Sequence, residues 1–305
     1  MDYSLLKKLC SVPGISGDES LINSFVLNYI KKESSNWKVQ PQVFFGDEFQ
    51  EGIVLVFGKP TTAIFAHLDT VGYTASYKNN LIKVGGPAYT ENTILVGKDS
   101  VSDIECVLKK NDNHQLIYEY HREIELGTCL SYKPNFRESK NYIETPYLDN
   151  RLGVFSALKV AETLENGIIA FSTYEEVGGG NAEVLGRWIY ENYKINQVLI
   201  CDITWVTEGV QHGKGVAISL RDSGIPSKKY LNKIKSIVEV SDVIYQYEVE
   251  SAGGSDGNAL QNTPYPFNWC FIGAPENFVH SPNETVHKSD ILEMIKVYQL
   301  LLKSL

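Results

Sequence analysis

The residues best suited to chemistry stand at the ends of short apolar runs. AIFAHLD places His67 and Asp69 just past one run, and IIAFSTYEEVGGG places Glu175 and Glu176 past another. VLICD ends on Asp202, FNWCFIGAPENFVHSP carries His280 in the loop after a fourth run, and YLDNRLG sets Asp149 just before a helical stretch. Singly, each has an ordinary structural explanation: a chance His-x-Asp, a solvated Glu-Glu pair, a capping aspartate, a structural histidine before Ser-Pro. The set resists that explanation, because every member follows a buried strand or precedes a buried helix. Carboxylates gathered at one place repel one another and are pushed toward their neutral forms. A divalent cation removes that repulsion, and two remove more of it. Imidazole nitrogen with carboxylate oxygen is a donor set for zinc, and also for cobalt or manganese.

Positioning such residues requires a sheet whose strands end together. Residues 4–11 and 20–33 have helical spacing and are split by the turn Pro13-Gly14. Ile53–Phe57 and Ala63–Ala66 are apolar runs of strand length. From about 72 to 146 the texture becomes alternating, with segments such as NTILVG and IECVLKK bounded by Asn, Asp or Gly, which reads as a small β domain. From Leu152 helical and strand patterns alternate: helices at 152–165, 181–193, 227–237 and 289–303, strands at 168–173, 197–201, 216–220 and 267–272. The expected fold is α/β, a mostly parallel sheet sandwiched by helices, built from residues 1–71 and 147–305 with residues 72–146 as an inserted β domain. In such open sheets ligands gather at the carboxyl ends of the strands, where these two histidines and five acids are delivered.

Composition narrows the function classes. Of 305 residues, 28 are Lys or Arg and 37 are Asp or Glu, a net charge of −9, which disfavours binding to a phosphate backbone. A hydrophobic content of 43% excludes a disordered, collagen-like or coiled-coil chain. The five cysteines are scattered and form no Cys-x-x-Cys, which argues against a disulfide framework or a thiolate zinc site and suits a reducing compartment. MDYSLLKKLC has no long apolar run, so neither a signal peptide nor a transmembrane segment is expected, and the expected location is the cytoplasm.

Several motifs in order resemble the M42, glutamyl-aminopeptidase-type metallopeptidases, within the wider group of zinc exopeptidases that includes M28 and M20. LKKLCSVPGISGDES is similar to the family's amino-terminal helix and turn, AHLDTVG to its His-x-Asp metal segment, LDNRLG to its bridging-Asp motif and TYEEVGGGNAE to its Glu-Glu-Val-Gly motif. CDIT and FVHSPNE match the last two ligand segments, and GKGVAISLRDSG and GGSDGNAL also have counterparts. The resemblance implies one metal held by His67, Asp149 and Asp202 and a second by Asp149, Glu176 and His280, with Asp149 bridging. It implies Glu175 as general base, Asp69 as the partner that orients His67, and a cis peptide at Asp149–Asn150. The implied activity is an aminopeptidase with two divalent ions, most naturally zinc, in which water is activated for attack on the first peptide bond. The implied partners are peptides with a free amino terminus and further copies of the chain, since M42 enzymes form tetrahedral dodecamers. Neither nucleic acid nor membrane is implied.

Two positions depart from the family pattern. Thr70 stands where Glu is common after His-x-Asp, which is closer to the M20 peptidases and deacylases, and Asn150 stands where Asp is frequent. The long stretch between Asp69 and Asp149 is where an M42-like insertion sits, whereas M20 enzymes insert their lid between the Asp ligand and the last His. The alternatives are an M20-like dipeptidase or N-acyl-amino-acid amidohydrolase, and a non-catalytic binding relative. Asp256, in the flexible GGSDG, is a candidate for the substrate pocket. Arg151 is expected to pair with an acid of the site or to cap the following helix. His114, His121, His212 and His287 read as surface or structural residues.

Overall fold

The runs IVLVF and AIFAH carry no polar side chain before His67 because both faces of their strands are covered. In the computed structural model, which describes residues 1–305, alternate residues of each strand feed two separate cores. Ile53, Leu55 and Phe57, with Ile64 and Ala66, face a larger core that also takes in the helices Ser4–Leu9, Ser20–Glu33, Leu148–Ala161, Lys228–Val238 and Lys288–Ser304. Val54 and Val56, with Ala63 and Phe65, face a smaller core under the helices Ala182–Tyr193 and Asp256–Gln261. Burying an aliphatic or aromatic side chain of this size contributes about 1.5–3 kcal/mol, so the doubly covered strands form the rigid part of the molecule.

The large sheet has eleven strands. Its centre is parallel: Ala63–His67 lies between Gly167–Ser172 and Gln197–Trp205, and the latter pairs in parallel with Asn268–Asn277. Antiparallel strands flank this centre, with Ile53–Phe57 and Gln42–Phe45 on one side and Thr285–His287, Tyr142–Glu144 and Arg137–Glu138 on the other. Val216–Arg221 pairs antiparallel with Asn268–Asn277 and parallel with Tyr245–Val249. A second, six-stranded antiparallel sheet is built from strands between Gly72 and Tyr132, around Tyr73, Leu95, Leu108 and Tyr132. Its strand Asp103–Lys110 alternates buried and exposed residues because one face meets water.

The inserted sheet ends at Tyr132, not near residue 146 as expected, because Arg137–Glu138 and Tyr142–Glu144 pair within the large sheet. Element boundaries depart from the sequence pattern in two further places that matter. The strand expected to end at Cys201 continues to Trp205, because its partner Asn268–Asn277 continues beside it, so Asp202 lies within a strand. The helix expected from Leu152 begins at Leu148, but Asp149 and Asn150 are non-helical and the peptide bond between them is cis. No helix is long and apolar enough to cross a membrane.

Candidate metal centre

Register brings the predicted ligands together. His67 ends its strand directly opposite Ser172, and the chain then turns through Tyr174 to present Glu175 and Glu176. Asp202 points up from the next strand, and His280 follows the strand Asn268–Asn277. The amino end of the helix Leu148–Ala161 delivers Asp149 from above the same strand ends. Four non-glycine residues at or beside these ligands hold left-handed backbone: Tyr147 (φ 72), Tyr174 (φ 63), Phe278 (φ 61) and His280 itself (φ 63). That conformation costs on the order of 1–2 kcal/mol per residue, and packing holds it in place. The Tyr147 ring is buried against Tyr132, and the Tyr174 N–H donates to Glu19 at 3.3 Å.

Asp149 divides its oxygens. Oδ1 lies 3.2 Å from His67 Nε2, and Oδ2 lies 3.2 Å from His280 Nε2. Around the first oxygen the donor atoms of His67, Asp149 and Asp202 all fall within 4.8 Å of one another, and around the second so do those of Asp149, Glu176 and His280. His67 Nε2 is 3.6 Å from Asp202 Oδ2 and 3.9 Å from Glu175 Oε2, while His280 Nε2 is 3.1 Å from Glu176 Oε2. The outer ring nitrogens are taken: His67 Nδ1 meets the Asp69 carbonyl at 3.1 Å, and His280 Nδ1 meets the Gly86 carbonyl at 3.2 Å. Each imidazole is thereby oriented with its other nitrogen toward the carboxylates.

The Asp69 carboxylate serves more neighbours than the imidazole its position suggests. It accepts Ser16 Oγ at 2.6 Å and the backbone N–H groups of Glu175 and Glu176 at 3.0 and 3.1 Å, and it stands 3.5 Å from His67 Nδ1. It therefore holds the Glu-Glu turn as well as flanking the imidazole.

The electrostatics are those of a site built for added positive charge. Burial pushes Glu175 and Asp202 well above the carboxylate range, and the neighbouring acids add to the push. Burial and Asp149 likewise raise Glu176, whose Oε1 is buried without any hydrogen-bond partner. Burial alone would depress the histidines, but the carboxylates around them win. His67 is held well above its ordinary value, and His280 is raised to about 11. Asp149, placed between both rings, is held below the usual range despite its burial. No lysine or arginine lines the cleft over these residues, a space of about 270 Å³. An orphaned carboxylate oxygen, a carboxylate shared between two imidazoles and the absence of a cationic side chain all fit divalent ions at this site.

Other predicted residues lie elsewhere. Asp256 does not line the cleft; it is buried beneath it at the start of the helix Asp256–Gln261, where its carboxyl accepts from Ser172 Oγ and burial raises it to about 6. The neighbouring Ala252, Gly253 and Gly254 line the cleft instead, because the turn that starts the helix rotates Asp256 inward. Arg151 pairs with no acid. It is fully buried and donates to the Leu68 carbonyl and, at 3.2 Å, to the Val12 carbonyl, tying the first turn of the chain to the His67 segment. Asn150 has a reason to be an amide: Nδ2 donates to the Cys201 carbonyl at 2.9 Å and Oδ1 accepts the Gly153 N–H at 2.9 Å, and an ionised Asp lacks the donor. Thr70 Oγ1 donates to the Gly14 carbonyl at 3.2 Å. His287 caps the last helix through Ser289.

The sequence reading did not single out Asp222, Glu248 and Glu250, which extend the acidic lining of the cleft beyond the ligand set, or the buried Glu276 and Glu284 behind it. Glu284 had a signal, since it lies four residues past His280 in FVHSPNE. The other four sit in segments whose pairing is visible only in three dimensions.

Against this geometry, comparison with known proteins is specific. Residues 118–297 match the family described as M42 glutamyl aminopeptidase. A putative aminopeptidase of Acetivibrio thermocellus is 25% identical, covering 97% of this chain and 96% of the relative. The lysyl aminopeptidase of Pyrococcus furiosus is 24% identical, covering 100% of this chain and 98% of the relative. Among solved structures, an aminopeptidase from the archaeon Desulfurococcus kamchatkensis superposes with a TM-score of 0.86 at 20% identity, covering 99% of this chain and 94% of that one. The Pyrococcus horikoshii TET1 peptidase superposes with a TM-score of 0.82 at 23% identity, covering 97% and 98%, and is described as able to assemble into a tetrahedron or a large octahedral shell.

Proposed function

The chain belongs to the M42 glutamyl aminopeptidase family and is a metal-dependent aminopeptidase, and on that premise we propose that it works with two divalent cations bridged by Asp149. The observation that carries the number is the division of the Asp149 carboxylate, one oxygen to the His67 side and one to the His280 side. His67, Asp149 and Asp202 would hold one ion, and Asp149, Glu176 and His280 the other. When bound, the ions would supply a Lewis acid for the peptide carbonyl and lower the pKa of the attacking water. Zinc suits the nitrogen and carboxylate donors best, with cobalt or manganese as substitutes.

The remaining work falls to side chains. Glu175 is largely buried yet lines the cleft, and burial raises its carboxyl and makes it a ready proton carrier. It would take a proton from the attacking water and return it to the departing amine. Asp69 holds the Glu175 backbone N–H and so fixes where that proton transfer occurs. The cleft wall of Asp222, Glu248 and Glu250 favours a substrate that brings positive charge, first the free ammonium of its amino terminus. The same wall favours lysine or arginine over an acid as the first residue, in line with the activity named for the Pyrococcus furiosus relative. Self-assembly is supported by the shells formed by the Pyrococcus horikoshii relative. The five unpaired cysteines suit a reducing cytoplasm.

Hydrolysis of aminoacyl p-nitroanilides after removal and re-addition of zinc, cobalt or manganese tests the reading. Glu175→Gln is expected to keep its metal and to lose about 10²- to 10⁴-fold in kcat. Full activity in that variant would remove Glu175 from the role of base, and turnover by the metal-free protein would end the metal mechanism.

A further inference from the structure

Glu284 reaches the site from behind without lining its cleft. It is 1% exposed, and its two carboxylate oxygens are used separately. Oε1 accepts the backbone N–H of His280 at 2.8 Å, and Oε2 accepts the backbone N–H of Asp149 at 3.2 Å. Its own carbonyl accepts the Thr145 N–H at 3.0 Å, so the segment leading to Asp149 is held at a second point. Both N–H groups belong to residues outside regular backbone: His280 has φ 63, and Asp149 has φ −79 and ψ 107. Neither turn offers them a carbonyl acceptor, and a buried N–H without a partner is costly. One side chain therefore satisfies both, and it lies against two segments that are far apart in sequence.

Resting on the two-cation reading above, we propose that Glu284 is a positioning residue that sets the spacing between the bridging Asp149 and His280, and so determines how tightly the shared metal site closes. The argument turns on having two equivalent acceptors. A carboxylate offers an oxygen to each N–H; an amide offers one oxygen and one donor. Whichever way a glutamine turned, one ligand segment would face a donor with its own donor and would be released. Glu276 provides the contrast. It is an equally buried neighbouring acid, but both of its oxygens lack partners, so it holds no ligand backbone.

The test compares Glu284→Gln with Glu276→Gln, each of which removes one buried acid from the same region. Zinc affinity is measured by chelator competition, cobalt geometry by visible absorption of the cobalt-loaded protein, and fold integrity by thermal unfolding of the metal-free protein. Glu284→Gln is expected to weaken metal binding about 10- to 100-fold and to alter the cobalt spectrum. Glu276→Gln should leave the spectrum unchanged and the affinity within a few-fold. Wild-type affinity and spectrum in a folded Glu284→Gln protein would overturn the positioning role while leaving the two-cation reading intact. A wild-type protein that takes up no divalent ion would overturn both. Should the amide variant not fold, Glu284→Asp keeps the charge and both acceptors but withdraws them by one methylene; it is expected to bind metal more weakly, and unchanged binding there would equally overturn the proposal.

Discussion

At the end of a strand of the six-stranded sheet, the buried Asp99 is met by Arg122 through two hydrogen bonds of 2.6 and 2.8 Å and by the N–H groups of Val101 and Ser102. On the exposed face of the same sheet Lys133 meets Glu105 at 2.7 Å. At the carboxyl edge of the large sheet, Asp149, Glu175, Glu176 and Asp202 converge with two histidines and no lysine or arginine. Asp99 is accordingly held below the usual carboxylate range, whereas burial lifts Glu175, Glu176 and Asp202 above it. The difference teaches how to tell a structural acid from a functional one. An acid whose countercharge folds with it is complete in the chain alone, and one left without it waits for something the chain does not encode.

The sharpest way to break this comparison is to remove the shared ligand. Asp149→Asn halves the carboxylate that serves both sets and is expected to reduce bound metal, read by elemental analysis, and to abolish peptidase activity. Retention of two ions per chain would defeat the bridging role.

A second test uses pH on the chelated protein. Glu175, Glu176 and Asp202 have folded values above their unfolded ones, so they favour folding at low pH and oppose it increasingly as pH rises through the raised range. His67 and His280 are also raised, and the stability they contribute is full below the ordinary histidine value and lost as pH climbs toward the folded one. Both groups act in the same direction, the acids from the ordinary carboxylate value upward and the histidines from the ordinary histidine value upward. The metal-free protein should therefore melt at a lower temperature at about pH 8.5 than at about pH 5.5. Loading with zinc should remove or reverse that slope, because the ligands bind metal in deprotonated form. A slope that is the same with and without metal would contradict the contrast between Asp99 and the cleft acids.

Smaller effects sharpen the comparison. Asp99→Asn is expected to lower the melting temperature without altering metal content, since its partner is part of the chain. Glu250→Gln, at the outer and partly exposed wall of the cleft, is expected to lower kcat/KM for lysyl substrates by about two- to fivefold and to spare leucyl ones. Equal losses on both substrates would assign Glu250 to structure.

Much of the site was legible because its ligands end apolar runs. Strands buried on both faces rarely carry a charged residue, so His67, Glu175 and Glu176 announce themselves where the apolar runs stop. Asp202 was found although its strand continues past it, since the preceding VLIC was apolar enough to mark the site. Asp256 was a candidate for the pocket because GGSDG reads as a free loop, while in the fold it begins a capped helix that turns the carboxyl inward. Arg151 was expected to meet an acid or to cap the following helix, yet it meets the carbonyls of Leu68 and Val12, an arrangement decided by which loops pass over it.

The amino-acid order by itself determined the apolar runs and the identities of the metal-binding candidates that follow them, since apolar run length is a local property. The tertiary structure decided what depends on distance between remote segments. It alone splits the Asp149 carboxylate between two imidazoles, sets Asp69 under the Glu-Glu turn and lets Glu284 hold two ligand backbones. Those relations are matters of a few ångströms between residues far apart in sequence, and strand register and packing fix such distances.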